Sequence, residues 1–245
     1  MLGENPLFLL TYLLRLLRLA ALLAVWRAVF AARGQAGGLD VEQVLTYTLL
    51  AGILAEPLNC RTGLDRSLWE GAIVTRMLQP IGLVASFVSE MAGRWVVGFA
   101  FCSLPMLLLA PWLGVDPWPA SGAAAAWFGL SLALAVVVGV ALDFLYGAAI
   151  AVLKTDIWML DGMRSAVALL LSGAVVPLAL MPWGMGRWMQ WLPFGALASA
   201  PLQIYTGAGD APTLLALQAF WAAALCLFGR RVWRVTRERM VSYGG

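Results

Sequence analysis

The chain has 245 residues, of which 62% are hydrophobic and only 12% charged, and its formal net charge is +3. A soluble domain carries about 25% charged residues, so this composition predicts an integral membrane protein. The sequence has no histidine and three widely separated cysteines, Cys60, Cys102 and Cys226. These counts argue against a metal site, histidine-based catalysis and a disulfide framework.

Six apolar segments are predicted to be transmembrane helices, since a helix needs about 20 residues to cross the hydrocarbon core. No cleavable signal peptide precedes the first segment, and turn signals rich in glycine or proline follow the first and the third. We therefore expect an all-α polytopic membrane protein in which residues 1–245 form one transmembrane domain. The predicted spans are 8–31, 42–60, 82–112, 122–153, 158–181 and 212–232.

The basic residues predict the orientation of these segments. With the amino terminus inside, twelve arginine and lysine residues lie on the cytoplasmic side, and only Arg33 and Arg187 lie outside. Such a bias is typical of membrane proteins, and it predicts that both termini are cytoplasmic. The twelve are Arg15, Arg18, Arg61, Arg66, Arg76, Lys154, Arg164, Arg230, Arg231, Arg234, Arg237 and Arg239.

Residues 67–79 are predicted to form a short helix outside the membrane. Ser67 and Glu70 have the spacing of a capping box, in which each side chain accepts a hydrogen bond from an amide at the helix start. Pro80 ends the helix because the residue before a proline is pushed out of the helical region. Gly71 permits a bend.

Residues 182–207, between the fifth and sixth spans, are aromatic and interrupted by proline and glycine. We expect a pair of short interfacial or re-entrant helices on the outer face, since non-helical backbone at membrane depth must be buried in protein or line a wet cavity. The segment is either the mouth of a translocation path or a cap that only closes the bundle.

Five charged residues lie in apolar segments. An unpaired charge at the bilayer centre costs about 2.5–3.5 kcal/mol on insertion scales, so such residues usually pair or face a cavity. Glu90 and Arg94 are four residues apart and are predicted to pair on one helix face. Glu56 can reach Arg61, and a bridge between the two remaining residues, Arg27 and Asp143, is possible. Alternatively, these charges line a substrate path or relay protons.

Two further function classes stay open. Gly207-Ala-Gly-Asp210 matches the Gly-x-Gly-Asp pattern of intramembrane aspartyl proteases, which would need Asp143 as the second aspartate. A capping role for Asp210 at the start of the last helix explains the same residues. The second class is an ATP-independent secondary transporter or a structural membrane protein. The chain has no Gly-x4-Gly-Lys-Ser/Thr motif, so we expect no nucleotide site in it.

Short motifs occur in a fixed order along nearly the whole chain. They are Trp26-Arg-Ala-Val-Phe30, Val44-Leu-Thr-Tyr-Thr-Leu-Leu50, Leu68-Trp-Glu-Gly71 continuing to Pro80, Ser172-Gly-Ala-Val-Val-Pro177, Leu192-Pro-Phe194, Pro201-Leu-Gln-Ile-Tyr-Thr-Gly207 and Tyr243-Gly-Gly. Their order and spacing resemble the ABC-2 type permease family, in particular the branch of small six-helix bacterial permeases that includes the viologen-exporter-like proteins. Gln79 departs from the family, which usually has a basic residue before the proline.

The resemblance implies an ABC-2 (type V exporter-like) transmembrane fold in the bacterial cytoplasmic (inner) membrane. It implies a second permease subunit, as a homo- or heterodimer, and two copies of a cytoplasmic ABC ATPase that carry ATP and Mg²⁺. The chain itself would be neither an enzyme nor a cofactor protein, would bind no nucleic acid, and would export an amphipathic or hydrophobic compound. Residues 67–79 would be the coupling helix that docks on the ATPase. Its predicted contact residues are Ser67, Trp69, Glu70, Gly71, Ala72, Ile73, Arg76 and Met77.

Overall fold

The structure is a computed structural model that describes residues 7–34, 37–153 and 157–243, and these residues form twelve α-helices. Lys154, one of the residues used above to predict the orientation, lies outside the described residues, as do Gly244 and Gly245. The side chains of Arg33, Arg237 and Arg239 lie outside the described part as well.

The predicted second span is broken. After α1 (Leu7–Arg33), the chain forms α2 (Val41–Ile53) and the single turn α3 (Ala55–Asn59). Pro57 explains the break, because it has no N–H to donate to the Ile53 carbonyl and its ring clashes with that turn. The Ser103 hydroxyl donates to this carbonyl instead, at 2.6 Å.

The prediction of one helix over 67–79 is wrong. The structure has two short helices, α4 (Leu64–Trp69) and α5 (Ile73–Met77), separated by Gly71 at φ +68°. Ser67 is buried inside α4 and Glu70 ends that helix, so the predicted capping box does not form. The helix begins three residues earlier than predicted because Gly63, at φ +89°, turns the chain into it.

Three helices are long and apolar enough to cross a membrane, within the residues that the structure describes. The first joins α6 (Leu83–Gly98) to α7 (Leu104–Leu109) through the π-helical turn Phe99–Ser103. The others lie in α8 (Gly122–Leu153) and in the last helix, Ala211–Tyr243. The chain is therefore an all-helical membrane protein, and the count of six spans stays a prediction. The three segments are Leu83–Leu109, Gly122–Ile150 and Ala211–Thr236.

The predicted fifth span, 158–181, differs from the structure. Helix α9 (Ile157–Leu171) ends ten residues early, and Gly173 follows at φ +76°. A Cβ at Gly173 would lie 2.9 Å from Leu178 and 3.2 Å from the Tyr47 hydroxyl, so the chain turns where only glycine fits. The break therefore comes before Pro177 and not at it.

The predicted pair of short helices in 182–207 is confirmed as α10 (Met185–Trp191) and α11 (Ser199–Tyr205). Helix α11 is mostly buried and packs against α8 and α2, whereas Trp188 of α10 is exposed. The position of the pair relative to a bilayer stays a prediction. Helix α12 (Ala211–Tyr243) follows and packs along α8.

The two ends of the bundle differ in chemistry. We call the end where α8 begins the tryptophan end, because the exposed Trp112 and Trp118 lie in the loop that leads into α8. We call the other end, where α8 finishes, the basic end; it includes α4, α5 and the exposed Arg230, Arg231 and Arg234 of α12.

An apolar cluster at the basic end joins the three spans to α4 and α5. Its members include Leu64, Leu68, Ile73, Phe87, Ala148 and Trp233.

Candidate functional site: a polar junction at the basic end

The candidate site is built around residues 59–64, which connect α3 to α4. Cys60, at φ +46°, and Gly63 interrupt the helical conformation, and the four carbonyls from residue 59 to residue 62 accept hydrogen bonds from side chains. Buried amides and carbonyls need hydrogen bonds from elsewhere. We use the name polar junction for residues 59–64 together with the four charged residues that hold them, Glu90, Arg94, Asp143 and Arg164.

Asp143 of α8 holds the middle of the segment. Its Oδ2 accepts a hydrogen bond from the Thr62 amide at 3.0 Å and another from the Thr62 hydroxyl. Its Oδ1 lies 2.6 Å from Nη1 of Arg164 on α9. Only 6% of Asp143 and 9% of Arg164 is exposed, so the charges neutralise each other away from water.

Arg164 also holds the backbone that precedes Thr62. Its Nη2 donates to the carbonyl oxygens of Asn59 and Cys60, at 3.2 and 3.3 Å. The possible bridge from Arg27 to Asp143 is not formed. Arg27 donates to the carbonyls of Leu113 and Gly114 in the loop after α7.

Arg94 of α6 holds the segment from another side. Its Nη2 donates to the carbonyl oxygens of Arg61 and Thr62, at 2.9 and 3.1 Å. Its Nη1 lies 3.1 Å from Oε1 of Glu90, which confirms the predicted pair on α6. The other oxygen of Glu90 lies 2.7 Å from Nη2 of Arg76. Glu90 therefore connects α5 to the helix that holds the junction.

Glu56 does not contact Arg61, although the sequence places the two within reach of each other. Glu56 pairs with Arg15 of α1, and Arg61 pairs with Asp161 of α9 and donates to the Ser165 hydroxyl at 2.9 Å. Partial burial lowers the pKa of Arg61, but the hydrogen bond and the charge of Asp161 outweigh it and raise this pKa overall. Arg61 is therefore a cation at any physiological pH. Its contacts with Asp161 and Ser165 are a second connection, after those of Arg164, between the junction and α9.

A groove on α8 receives the segment. Gly139, Asp143 and Gly147 are four residues apart, so they lie on one face of the helix. A Cβ at Gly139 would collide with the side chain of Cys60, and a Cβ at Gly147 would collide with Leu64. Cys60, Thr62 and Leu64 thus lie against Gly139, Asp143 and Gly147 in turn. The sequence pattern Gly-x3-Asp-x3-Gly signals this groove, although it was not among the sequence predictions.

The arrangement is suited to transmitting motion. Side chains from α6, α8 and α9 bind one short segment, and α4 begins directly after it. A displacement of α4 therefore reaches all three helices through hydrogen bonds and ion pairs.

Among the described residues there is also no group of three or more cysteine, aspartate or glutamate side chains that could hold a metal ion.

The outer side of α4 and α5 differs from the predicted contact face. Of the four apolar residues predicted to dock, only Trp69 is exposed, at 64%. Ile73 is fully buried against Phe87, so its predicted role as a contact residue is wrong, while Ala72 and Met77 are half-buried. The outer apolar surface consists instead of Trp69, Leu78 and Ile81, with the exposed side chains of Arg66 and Glu70 beside Trp69. Ile81 lies beyond the predicted helix 67–79, and the chain bends at Gly71 between Trp69 and Leu78. The periodicity of a single helix therefore does not reveal this surface.

Asp143 and Asp210 do not meet. The Asp210 carboxylate accepts hydrogen bonds from the Thr213 amide and hydroxyl, which makes it the cap of α12. A Cβ at Gly207 would lie 2.9 Å from that of Ala120, so this loop lies at the tryptophan end. Asp143 is about 30 Å farther along α8, at 1.5 Å per residue. The two aspartates therefore form no catalytic pair in this structure.

The fold and the site define an all-helical membrane protein whose three candidate spans meet a short pair of helices at the basic end. Comparison of the chain with protein-family models, with curated proteins and with solved structures gives no match.

Proposed function

We propose that the chain is the membrane-spanning subunit of an ABC-type exporter in the bacterial cytoplasmic membrane, with both termini in the cytoplasm. In this proposal a second permease subunit completes the pathway, and two copies of a cytoplasmic ATPase supply the energy of ATP hydrolysis. The compound exported is amphipathic or hydrophobic. The fold would be that of the ABC-2 permeases, with six spans.

The polar junction is the observation that carries this proposal. A permease without a nucleotide site of its own needs a mechanical link between an external motor and its transmembrane helices. Helices α4 and α5 offer exposed apolar side chains on one side and are tied to α6, α8 and α9 on the other. An ATPase that binds the exposed side of α4 and α5 more tightly in its closed state than in its open state would shift the transmembrane helices toward one conformation.

The charge distribution favours a cytoplasmic position for α4 and α5. These helices lie at the basic end, beside the arginines of α12, and basic residues are enriched on the cytoplasmic side of membrane proteins. Trp69, Leu78 and Ile81 then face the compartment that contains ATP. Exposed apolar groups of this kind, bordered by charged residues, are common in binding surfaces.

Co-purification with matched tryptophan variants tests the proposal. The full chain is isolated from its native membrane, and retained proteins are identified by mass spectrometry. We expect an ATP-binding-cassette subunit that is lost from Trp69→Ala and kept by Trp112→Ala. Trp112 is an exposed tryptophan at the opposite end of the bundle, and it serves as the control.

Three outcomes would overturn the proposal. The first is isolation of the chain without an ATPase under conditions that preserve membrane complexes. The second is equal retention of the ATPase by both tryptophan variants. The third is solute transport by the chain alone in proteoliposomes without ATP, which would favour a secondary transporter.

A further inference from the structure

A cavity of about 480 Å³ lies between α1 and α9, with α2 and α3 behind it. Its volume is within the range of about 300–1,000 Å³ that is typical of sites for small molecules. The polar junction does not use this cavity. Arg18 of α1 and Leu169 of α9 both line it and are both exposed, so it reaches the surface between these two helices.

The wall of the cavity is apolar over most of its length. Leu19 and Leu22 of α1, Met106 of α7 and Leu169 of α9 contribute aliphatic side chains. The lining extends along α1 from Arg15 to Leu22, which is about 10 Å at the rise of a helix, and along α2 from Gly52 to Thr48. This length accommodates an apolar tail rather than a compact polar solute.

One end of the cavity is charged. Arg15, Arg18 and Glu56 all line it, and Glu56 forms an ion pair with Arg15. Among the residues that the structure describes, no carboxylate lies within 4.0 Å of the Arg18 guanidinium. With Glu56 compensating Arg15, the three side chains sum to one net positive charge, which favours one negative charge on a ligand and repels a cation.

We infer that the cavity binds an amphiphile with a singly charged anionic headgroup, which enters from the bilayer between α1 and α9. The headgroup lies against Arg18, where a phosphodiester accepts charge-assisted hydrogen bonds from the guanidinium. The tail lies along Leu19, Leu22 and Met106. As a binding site the inference stands alone; as the site of the exported substrate it rests on the proposed function.

A binding measurement on the full chain without any ATPase tests the inference. The delipidated protein is titrated with phosphatidylglycerol or with phosphatidylcholine in detergent, and bound lipid is counted by native mass spectrometry. We expect tighter binding of phosphatidylglycerol. Arg18→Gln should weaken it about tenfold, which corresponds to the loss of one charge-assisted hydrogen bond. Phosphatidylcholine has the same phosphodiester, but its choline cation is repelled by the net positive charge at this end of the cavity and offsets the attraction, so its binding should be weak at the outset and should change less than twofold.

Two variants separate the cavity from other lipid contacts. Arg231→Gln removes an exposed arginine of α12 at the same end of the bundle, so it reports headgroup binding at the protein surface. It should change phosphatidylglycerol binding less than twofold. Ala168→Phe fills part of the cavity without changing charge and should weaken binding as Arg18→Gln does.

Equal binding of the two lipids would overturn the inference, and so would equal effects of Arg18→Gln and Arg231→Gln. Undiminished binding by Ala168→Phe would place the lipid outside the cavity, with the same consequence. Because the titration contains no ATPase, its failure is distinct from failure of the proposed function. Selective binding without an ATPase partner in the native membrane would leave a lipid site in a protein that is not an ABC permease.

Discussion

Asp143 and Arg164 lie on neighbouring helices with 2.6 Å between their charged atoms, and each also holds the backbone of the segment that leads to α4. In each of these contacts the two partners lie far apart in the sequence. The pair therefore does two things at once: it neutralises two buried charges, and it fixes α8 and α9 to the same short piece of chain.

Asp143→Asn is expected to destabilise the protein strongly. The amide can still accept a hydrogen bond from Thr62, but Arg164 becomes a buried cation without its counter-charge. Breaking such a pair costs about 3–5 kcal/mol. The measurement is the free energy of unfolding in mixed micelles as the fraction of denaturing detergent rises.

Glu56→Gln is the matched control for this experiment. Its pair with Arg15 is half-exposed, so its loss should cost less than about 1 kcal/mol. A second arm combines Asp143→Asn with Arg164→Gln, which removes both charges and should recover part of the loss. Equal costs for Asp143→Asn and Glu56→Gln would contradict a buried, structural ion pair.

The groove on α8 predicts that two glycines cannot be replaced. Gly139→Ala and Gly147→Ala place a Cβ where Cys60 and Leu64 already lie, and overpacking of this kind costs about 1–3 kcal/mol. Gly129 is on the same helix, and nothing lies within 4 Å of the position that a Cβ would take there. Gly129→Ala should be neutral or stabilising by up to about 1 kcal/mol, since alanine is the better helix former.

Thermal unfolding in detergent distinguishes these variants. We expect a lower midpoint for Gly139→Ala and Gly147→Ala, and an unchanged or higher midpoint for Gly129→Ala. An unchanged or higher midpoint for all three would show that helix propensity, and not the groove, determines the effect.

Local sequence signals predicted the parts of the structure that depend on local chemistry. The long apolar segments of α8 and α12 correspond to helices, and the spacing of Glu90 and Arg94 gave a correct pair on one helix face. The breaks after α2 and after α4 also had local signals, in Pro57 and Gly71. The long apolar run around Pro57 and the cap motif before Gly71 are the stronger local patterns, and both favour an unbroken helix.

The partners of the buried charges could not be predicted in this way. Asp143, Arg164 and Thr62 lie far apart along the chain and meet only because α8, α9 and the segment before α4 pack together. Hydropathy shows that a charge in an apolar segment needs a partner, but it does not show which one. In the sequence Arg164 contributes only to the charge bias that predicts the orientation, whereas in the structure it is the partner of the buried Asp143.

Asp210→Ala is expected to act on stability and not on catalysis. The side chain caps α12 through Thr213, and loss of such a cap costs about 0.5–2 kcal/mol. Asp210→Asn keeps a capping oxygen and should be nearly neutral. Peptide cleavage by the purified chain that is abolished in Asp210→Asn would contradict this role and would restore the protease hypothesis.

Glu90→Gln is expected to separate ATP hydrolysis from transport, if the proposed function holds. Glu90 connects Arg76 of α5 to Arg94 of α6, and all three side chains are partly exposed. The loss in unfolding free energy should therefore stay near 1 kcal/mol or below. The link between the motor side and the spans is weakened nevertheless, so less substrate should be moved per ATP hydrolysed.

The ratio of transport to ATP hydrolysis in proteoliposomes measures this effect. Glu42→Gln, an exposed acid at the start of α2, is the control and should leave the ratio unchanged. A fall in transport and hydrolysis by the same factor would show that Glu90→Gln only reduces the amount of assembled complex. A lower ratio with normal assembly and a normal unfolding free energy would assign to Glu90 the transmission of motion from α5 to α6.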